Sequence, residues 1–281
     1  GLDGWLFAAG LLSAVLHAGW NAAIKASSQP REAMAAQMMV AALLGLPGLV
    51  WLGLPPGPAW PWLLACTLLN TVAVRAVLRA YESGGFGSVY PISRAVSVLG
   101  VTAVAPLLLG DRIGGWTLAG VGLVTLALGL LAWLALRDLH ATLSLRALAW
   151  TLLAGALTAV CVMFDARGVR QSGSAASYGF AICLSNALAF AWIQRRHGAP
   201  WVLLRRYGRV AWPAGTVSMT SYLLILWVYQ NAPVAPASAL RDTSAFFAIV
   251  ISALWLKEPL RLRHLLVLGL ALAGVPLLRL G

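Results

Sequence analysis

Arg241 and Asp242 stand side by side near the start of the run ALRDTSAFFAIVISALWL, a stretch otherwise made of apolar and small residues. A charged side chain deep in hydrocarbon costs roughly 2.5–3.5 kcal/mol on insertion scales, so such a pair needs a partner or a wet cavity. Arg94 recurs in the same setting in an earlier run, PISRAVSVLGVTAVAPLLL. A guanidinium so placed attracts a carboxylate or closes a gate. The bland alternative is a structural ion pair, Arg241 with Asp242 or with Asp165. Neighbouring residues on a helix point about 100° apart, so Asp242 is expected to face a different neighbour from Arg241. Asp165, in MFDARGVR, reads as a gate partner of Arg241, as a proton carrier, or as a solvated helix-end charge beside Arg167 and Arg170.

Other polar residues are spaced for binding. His17, Trp20 and Asn21 fall at i, i+3 and i+4 and share one helix face. They form either a cavity wall, with the indole stacking on a substrate and Asn21 bonding its amine or carboxylate, or an interhelical polar clamp. Asn70 and Arg75 lie deeper in their run than Arg79, which is expected to snorkel to headgroups. Tyr90 precedes Pro91, and Tyr222 and Tyr229 are spaced to share a face with each other. These aromatics build a stacking box, or, for Trp227 and Tyr229, part of the interfacial belt. Asp111 and Glu258 fall at matched turns and read as structural, each favouring the dipole of the helix that follows.

What must position these residues is a set of membrane spans. The chain has 281 residues, 60% hydrophobic and 10% charged, whereas soluble domains carry roughly 25% charged residues. Apolar runs recur at 5–24, 33–54, 61–80, 88–109, 114–136, 147–167, 175–193, 210–230, 235–256 and 262–280, each near the roughly 20 residues that span a bilayer. The alternation of a β-barrel is absent from the sequence. The class is an all-α polytopic membrane protein. The opening run reads as a first span, not as a cleaved signal. The longest basic connection, RRHGAPWVLLRRYGR, lies between the seventh and eighth runs, and no soluble domain is inserted.

The net charge of +12 reads as basic loops that fix orientation, and nucleic acid is not expected. With the N-terminus outside, twelve basic residues gather on the cytoplasmic side (Lys25, Arg31, Arg137, Arg146, Arg195, Arg196, Arg205, Arg206, Arg209, Lys257, Arg261 and Arg263), against Arg112, Arg167, Arg170 and Arg279 outside. Both termini are therefore expected on the outer side of the membrane. Cys66, Cys161 and Cys183 lie in apolar runs without CxxC spacing, so neither metal nor disulfide is expected. Hydrolase and nucleotide-binding motifs are missing from the sequence. The expectation is a protein without cofactor that is not an enzyme, with transport driven by an existing gradient.

The chain also repeats itself. Residues 91–113 lie over 238–260, with Arg94 on Arg241 and Asp111 on Glu258; residues 5–25 lie over 150–170, with Lys25 on Arg170. Two halves, 1–140 and 141–281, of five spans each are expected. An odd repeat enters the membrane the opposite way the second time, the inverted architecture of many secondary transporters.

HAGWNAAIK at 17–25, LLLGDRI at 107–113 and LWLKEPLRLRHLLVLGLALAGV at 254–275 resemble the drug/metabolite transporter superfamily, EamA type. Within it the chain is similar to YddG-like amino acid exporters. The resemblance implies ten helices as two inverted repeats around a central cavity, with both termini periplasmic. The expected function is gradient-driven, alternating-access export of small organic solutes, amino acids including aromatic and apolar ones. Expected partners are that small molecule and the lipid bilayer, with a monomer as the working unit. Drug, nucleoside or other metabolite efflux is the alternative. A membrane-embedded enzyme or scramblase using His17 and Asp165 is a further one, and a channel or receptor another.

Overall fold

A computed structural model of the chain describes residues 2–84, 86–138, 142–255, 257 and 259–281. The described residues are all helical or connecting, with no strand. The helices are α1 (Gly4–Lys25), α2 (Pro30–Leu52), α3 (Trp60–Gly84), α4 (Phe86–Leu109), α5 (Gly115–Asp138), α6 (Leu145–Ser172), α7 (Ala175–Gln194), α8 (Pro200–Asn231), α9 (Val234–Asp242), α10 (Ser244–Trp255) and α11 (Leu262–Leu280). With α9 and α10 taken as one, they make ten spans long and apolar enough to cross a membrane. The core is mainly apolar, and unlike a water-soluble bundle the outer surface is apolar as well. Leu12, Leu68, Leu107, Trp192 and Leu272 face outward, while Ser13, Thr67, Ser97, Asp165, Ser221 and Asp242 are buried. Lipid accepts the first set, and the second set must find partners inside.

Local chemistry sets the ends. Asp3 caps α1 by accepting the Leu6 N–H at 2.8 Å, and Ser144 caps α6 through Ala147 N–H at 3.1 Å. These bonds satisfy amides that a first helical turn leaves unpaired. Two spans differ most from the expected runs. The run expected at 210–230 begins ten residues earlier, because Pro200 starts α8 and the basic segment is its first turns. Proline suits a first helical position. Leu203 is buried while Arg205, Arg206 and Arg209 lie on the exposed side, so the segment is amphipathic and not a loop. The ninth span is interrupted at Thr243, immediately after Arg241 and Asp242. The Thr243 hydroxyl donates to the Leu240 carbonyl, the local back-bond by which threonine bends helices.

The connections sort onto two faces. On one, the Leu2 N–H bonds the Arg279 carbonyl at 3.2 Å, Ser177 Oγ bonds the Gly53 carbonyl at 2.9 Å, and Arg170 meets Asp111. On the other, Arg206 lies 3.8 Å from Glu32 and Arg263 lies 2.6 Å from Asp138.

The helix pairing is reciprocal. α1 packs on α8 as α3 packs on α6, and α4 packs on α6 as α1 packs on α9 and α10, while α2–α7 and α5–α11 pair with each other. Each of the first two crossings is closed by a two-way bond. Ser13 Oγ donates to the Ser221 carbonyl and Ser221 Oγ to the Ser13 carbonyl, both at 2.7 Å. Cys66 and Cys161 do the same with thiols, at 3.5 and 3.8 Å. Close approach also needs Gly155. A Cβ there would sit 2.8 Å from the Ser93 carbonyl of α4, so a larger residue would push α4 and α6 apart.

Candidate functional site

Arg94 projects from α4 and meets the last residue of α9. Its Nη1 lies 3.2 Å from Asp242 Oδ1, with the two side chains 20% and 5% exposed. The Arg94 guanidinium also lies over the Tyr90 ring, 5.1 Å from the centroid, and Tyr90 Oη is 3.1 Å from Ser244 Oγ at the start of α10. Arg241, one residue earlier on α9, points elsewhere. Its Nη2 sits 3.3 Å from His17 Nδ1 on α1, and its guanidinium lies 5.7 Å from the centroid of the Tyr222 ring on α8. The 100° step between helix neighbours thus sends the anion to α4 and the cation to α1 and α8. Among the described residues no carboxylate lies within ion-pair distance of Arg241. Its Nε is buried without a partner among the described residues, as is Asp242 Oδ2.

His17 accepts from Arg241 at Nδ1, which places its ring proton on Nε2. Trp20 stands edge-on to His17, with centroids 5.3 Å apart, and its indole N–H is buried without a partner. Asn21 spends its amide N–H on the His17 carbonyl, at 2.8 Å, within its own helix.

Asp165 lies a turn and more inside α6, which continues to Ser172, and it is 6% exposed. It is therefore not a solvated helix-end charge. Tyr178 Oη donates to its Oδ1 at 3.0 Å, and Tyr222 Oη donates to its Oδ2. Gly168 makes room for this, since a Cβ there would be 2.5 Å from the Tyr178 ring. Arg167 turns instead over the Trp62 ring, at 5.9 Å, and Arg170 goes to Asp111. Asp165 and Arg241 do not pair directly; Tyr222 connects them, its hydroxyl on one and its ring under the other. Two guanidiniums and two carboxylates thus occupy this region, one pair in contact and one pair joined through an aromatic ring.

A second polar cluster lies on the face that holds the termini. Arg170 Nη1 and Nη2 grip the two oxygens of Asp111 at 2.8 and 3.2 Å. Arg170 also donates to the Ala232 carbonyl at 2.9 Å and to the Tyr229 carbonyl at 3.0 Å. Asp111 Oδ2 accepts the Val234 N–H at 2.8 Å. The pair therefore satisfies the last carbonyls of α8 and the first amide of α9, groups that helix ends leave open. From its sequence position Asp111 is expected to favour the following helix, α5; its bonds go instead to Arg170 and to the first amide of α9. Glu258, its counterpart in the sequence repeat, lies outside the described residues.

The remaining candidates scatter. Tyr229 is fully buried, and its hydroxyl has no partner among the described residues, so it is no belt residue; Trp227, at 41% exposed, faces outward. Asn70 is half-buried on α3. Arg75 and Arg79 are exposed and fall on the stripe of Leu64, Leu68 and Val72, which turns them away from the arginine cluster. Tyr90 also lines an apolar crevice of about 220 Å³ between α4, α5, α10 and α11, beside Ile249 and His264.

Reasoning from sequence passed over Tyr178 and the pairing of Arg170 with Asp111. The first had a signal, a glycine one turn beyond Asp165 that clears space for a ring. The second had one in the repeat, which sets Arg170 over Lys25 and Asp111 beneath Glu258.

Comparison with known proteins gives three findings. No curated protein matches the chain. A solved crystal structure with 14% sequence identity superposes with a TM-score of 0.74, covering 98% of this chain and 95% of that one, a likeness of fold alone. Residues 145–280, which run from α6 to the end of α11, match the model of the EamA-like transporter family, so the second half of the chain carries the sequence pattern of that family of membrane transporters.

Proposed function

We propose that the chain is a gradient-driven, alternating-access carrier that exports small organic solutes bearing a carboxylate, with amino acids that have aromatic or apolar side chains as the leading class. The observation that carries this reading is Arg241. A guanidinium inside a membrane span, without a carboxylate partner among the described residues, is a costly arrangement unless an anion visits it. The groups around it suit such a visitor: the Trp20 and Tyr222 rings offer apolar faces.

Two further features support alternating access. The reciprocal crossings α1–α8 and α3–α6 are what two five-span halves of opposite orientation would make, and the family match covers the second of those halves. Arg205, Arg206, Arg209 and Arg263 crowd the face away from the termini. By the basic-loop rule that face is cytoplasmic and the termini are outside.

The test is counterflow in proteoliposomes with labelled amino acids, nucleosides and cationic dyes. Exchange of L-phenylalanine or a related amino acid, competed by other carboxylates, is the expected result. Exchange of nucleosides or dyes alone would move the reading to efflux of those solutes. Turnover of a solute by detergent-solubilised protein, where no compartment exists, would remove the carrier reading.

A further inference from the structure

We propose that Asp165 is a proton site, and that Tyr222 couples its protonation to the occupancy of Arg241, so that a carboxylate and a proton bind together. The proposal rests on the carrier reading of Arg241.

The groups facing Asp165 define the problem. α3 contributes the Cys66 thiol, α7 the hydroxyl of Tyr178 and the thiol of Cys183, and α8 the hydroxyl of Tyr222. On its own helix Arg167 lies over Trp62 and Arg170 is held by Asp111. On α4, Arg94 is joined to Asp242. No guanidinium or ammonium is bonded to Asp165 among the described residues. Arg241 has no carboxylate partner among the described residues, and Tyr222 stands between it and Asp165, its hydroxyl on the carboxylate and its ring against the guanidinium.

Charge balance then dictates the coupling. When the site is empty, Arg94 and Asp242 neutralise each other, and Arg241 and Asp165 balance across the Tyr222 ring. A carboxylate that lands on Arg241 takes that cation for itself. Asp165 is left as a buried anion without compensation, and a buried carboxylate in that position is relieved by taking up a proton. The reverse also holds: a proton on Asp165 leaves Arg241 unbalanced and raises its attraction for an anion. Linkage makes the two effects equal. The bonding allows both states without rearrangement. A tyrosine hydroxyl both donates and accepts, so a protonated Asp165 donates to one tyrosine and accepts from the other by rotation of hydroxyls alone. The proton comes from the aqueous side to which the site is open, and no other bond changes. Export then follows the outward gradient of the solute and releases a proton with it.

Two measurements test this. Infrared difference spectra of the empty protein in lipid, taken across a pH titration, are expected to contain a protonated-carboxyl band that disappears in Asp165→Asn. Adding L-phenylalanine is expected to shift the midpoint of that band upward in the wild type and not in Tyr222→Phe, which keeps the ring and loses the hydroxyl. In proteoliposomes with equal solute on both sides, a pH gradient of one unit is expected to drive about tenfold accumulation of labelled L-phenylalanine for one coupled proton. The ratio of that accumulation to counterflow is expected to collapse in Asp165→Asn. A carboxyl band unchanged by Asp165→Asn overturns the proposal, as does wild-type counterflow with no response to the pH gradient. If the wild type exchanges no solute of the panel, the carrier reading fails, and the infrared titration alone decides whether Asp165 binds a proton.

Discussion

Arg94 and Arg241 coincide when residues 91–113 are laid over 238–260, yet their removal should damage different properties. Arg94→Ala strands Asp242, whose side chain is 5% exposed and whose second oxygen is already without a partner. Breaking a buried ion pair from one side costs about 3–5 kcal/mol. Arg241→Ala strands no carboxylate in direct contact. It loses a contact with the Tyr222 ring and one hydrogen bond to His17, together worth about 1–2 kcal/mol. For transport the order reverses. A charge-assisted bond to a substrate carboxylate is worth about 1.5–3 kcal/mol, so the solute concentration that half-saturates counterflow should rise roughly 10- to 150-fold in Arg241→Ala. The assay pairs thermal unfolding in detergent with counterflow in proteoliposomes. Arg94→Ala should unfold at markedly lower temperature than Arg241→Ala, and combining it with Asp242→Asn should recover most of the loss. An Arg241→Ala protein as unstable as Arg94→Ala, or one that saturates at the wild-type concentration, would refute this division of labour.

Three further predictions concern a helix cap, packing and a buried hydrogen bond. Asp111→Asn removes one charge of a bidentate pair and weakens the cap on α9; deuterium exchange at the Val234 amide should quicken by at least about tenfold, the equivalent of roughly 1.4 kcal/mol, and unchanged exchange would mean that this amide is held by something else. Gly168→Ala places a methyl group against the Tyr178 ring and should cost about 1–3 kcal/mol by overpacking; Tyr178→Phe, which loses only the bond to Asp165, should cost about 1 kcal/mol, and a Gly168→Ala protein with wild-type unfolding would show that the ring moves freely.

The spans were legible because length and apolarity alone decide which segments enter a bilayer. The run at 262–280 matches α11 almost residue for residue, and that at 114–136 matches α5 within a residue or two. The start of α8 was not legible, because a basic stretch reads as a loop when the burial of Leu203 on its other face is unknown. The break at Thr243 is marked by one side-chain back-bond and is invisible to periodicity. At the site, the burial cost of charge picked out Arg94 and Arg241, and the angular step along a helix separated Asp242 from Arg241; Asp165 was expected at a helix end, and its burial showed only once α6 was seen to continue to Ser172. The partners were beyond reach, since His17, Tyr222 and Tyr178 come from α1, α8 and α7 and meet only through tertiary packing. Arg75 shows the converse failure: its depth in the run resembled that of a cavity residue, but depth says nothing about which way a helix face turns.

The crossing of α3 and α6 has a practical corollary. Cys66 and Cys161 are both buried and press thiol against backbone, so a reagent specific for sulfur touches neither while these helices stay together. The opposite crossing is fastened by Ser13 and Ser221, to which such a reagent is blind. With Cys183 changed to serine, the native protein becomes its own clock: the speed at which maleimide marks the two remaining sulfurs, timed with and without solute, counts how often one seam parts while the other stays silent.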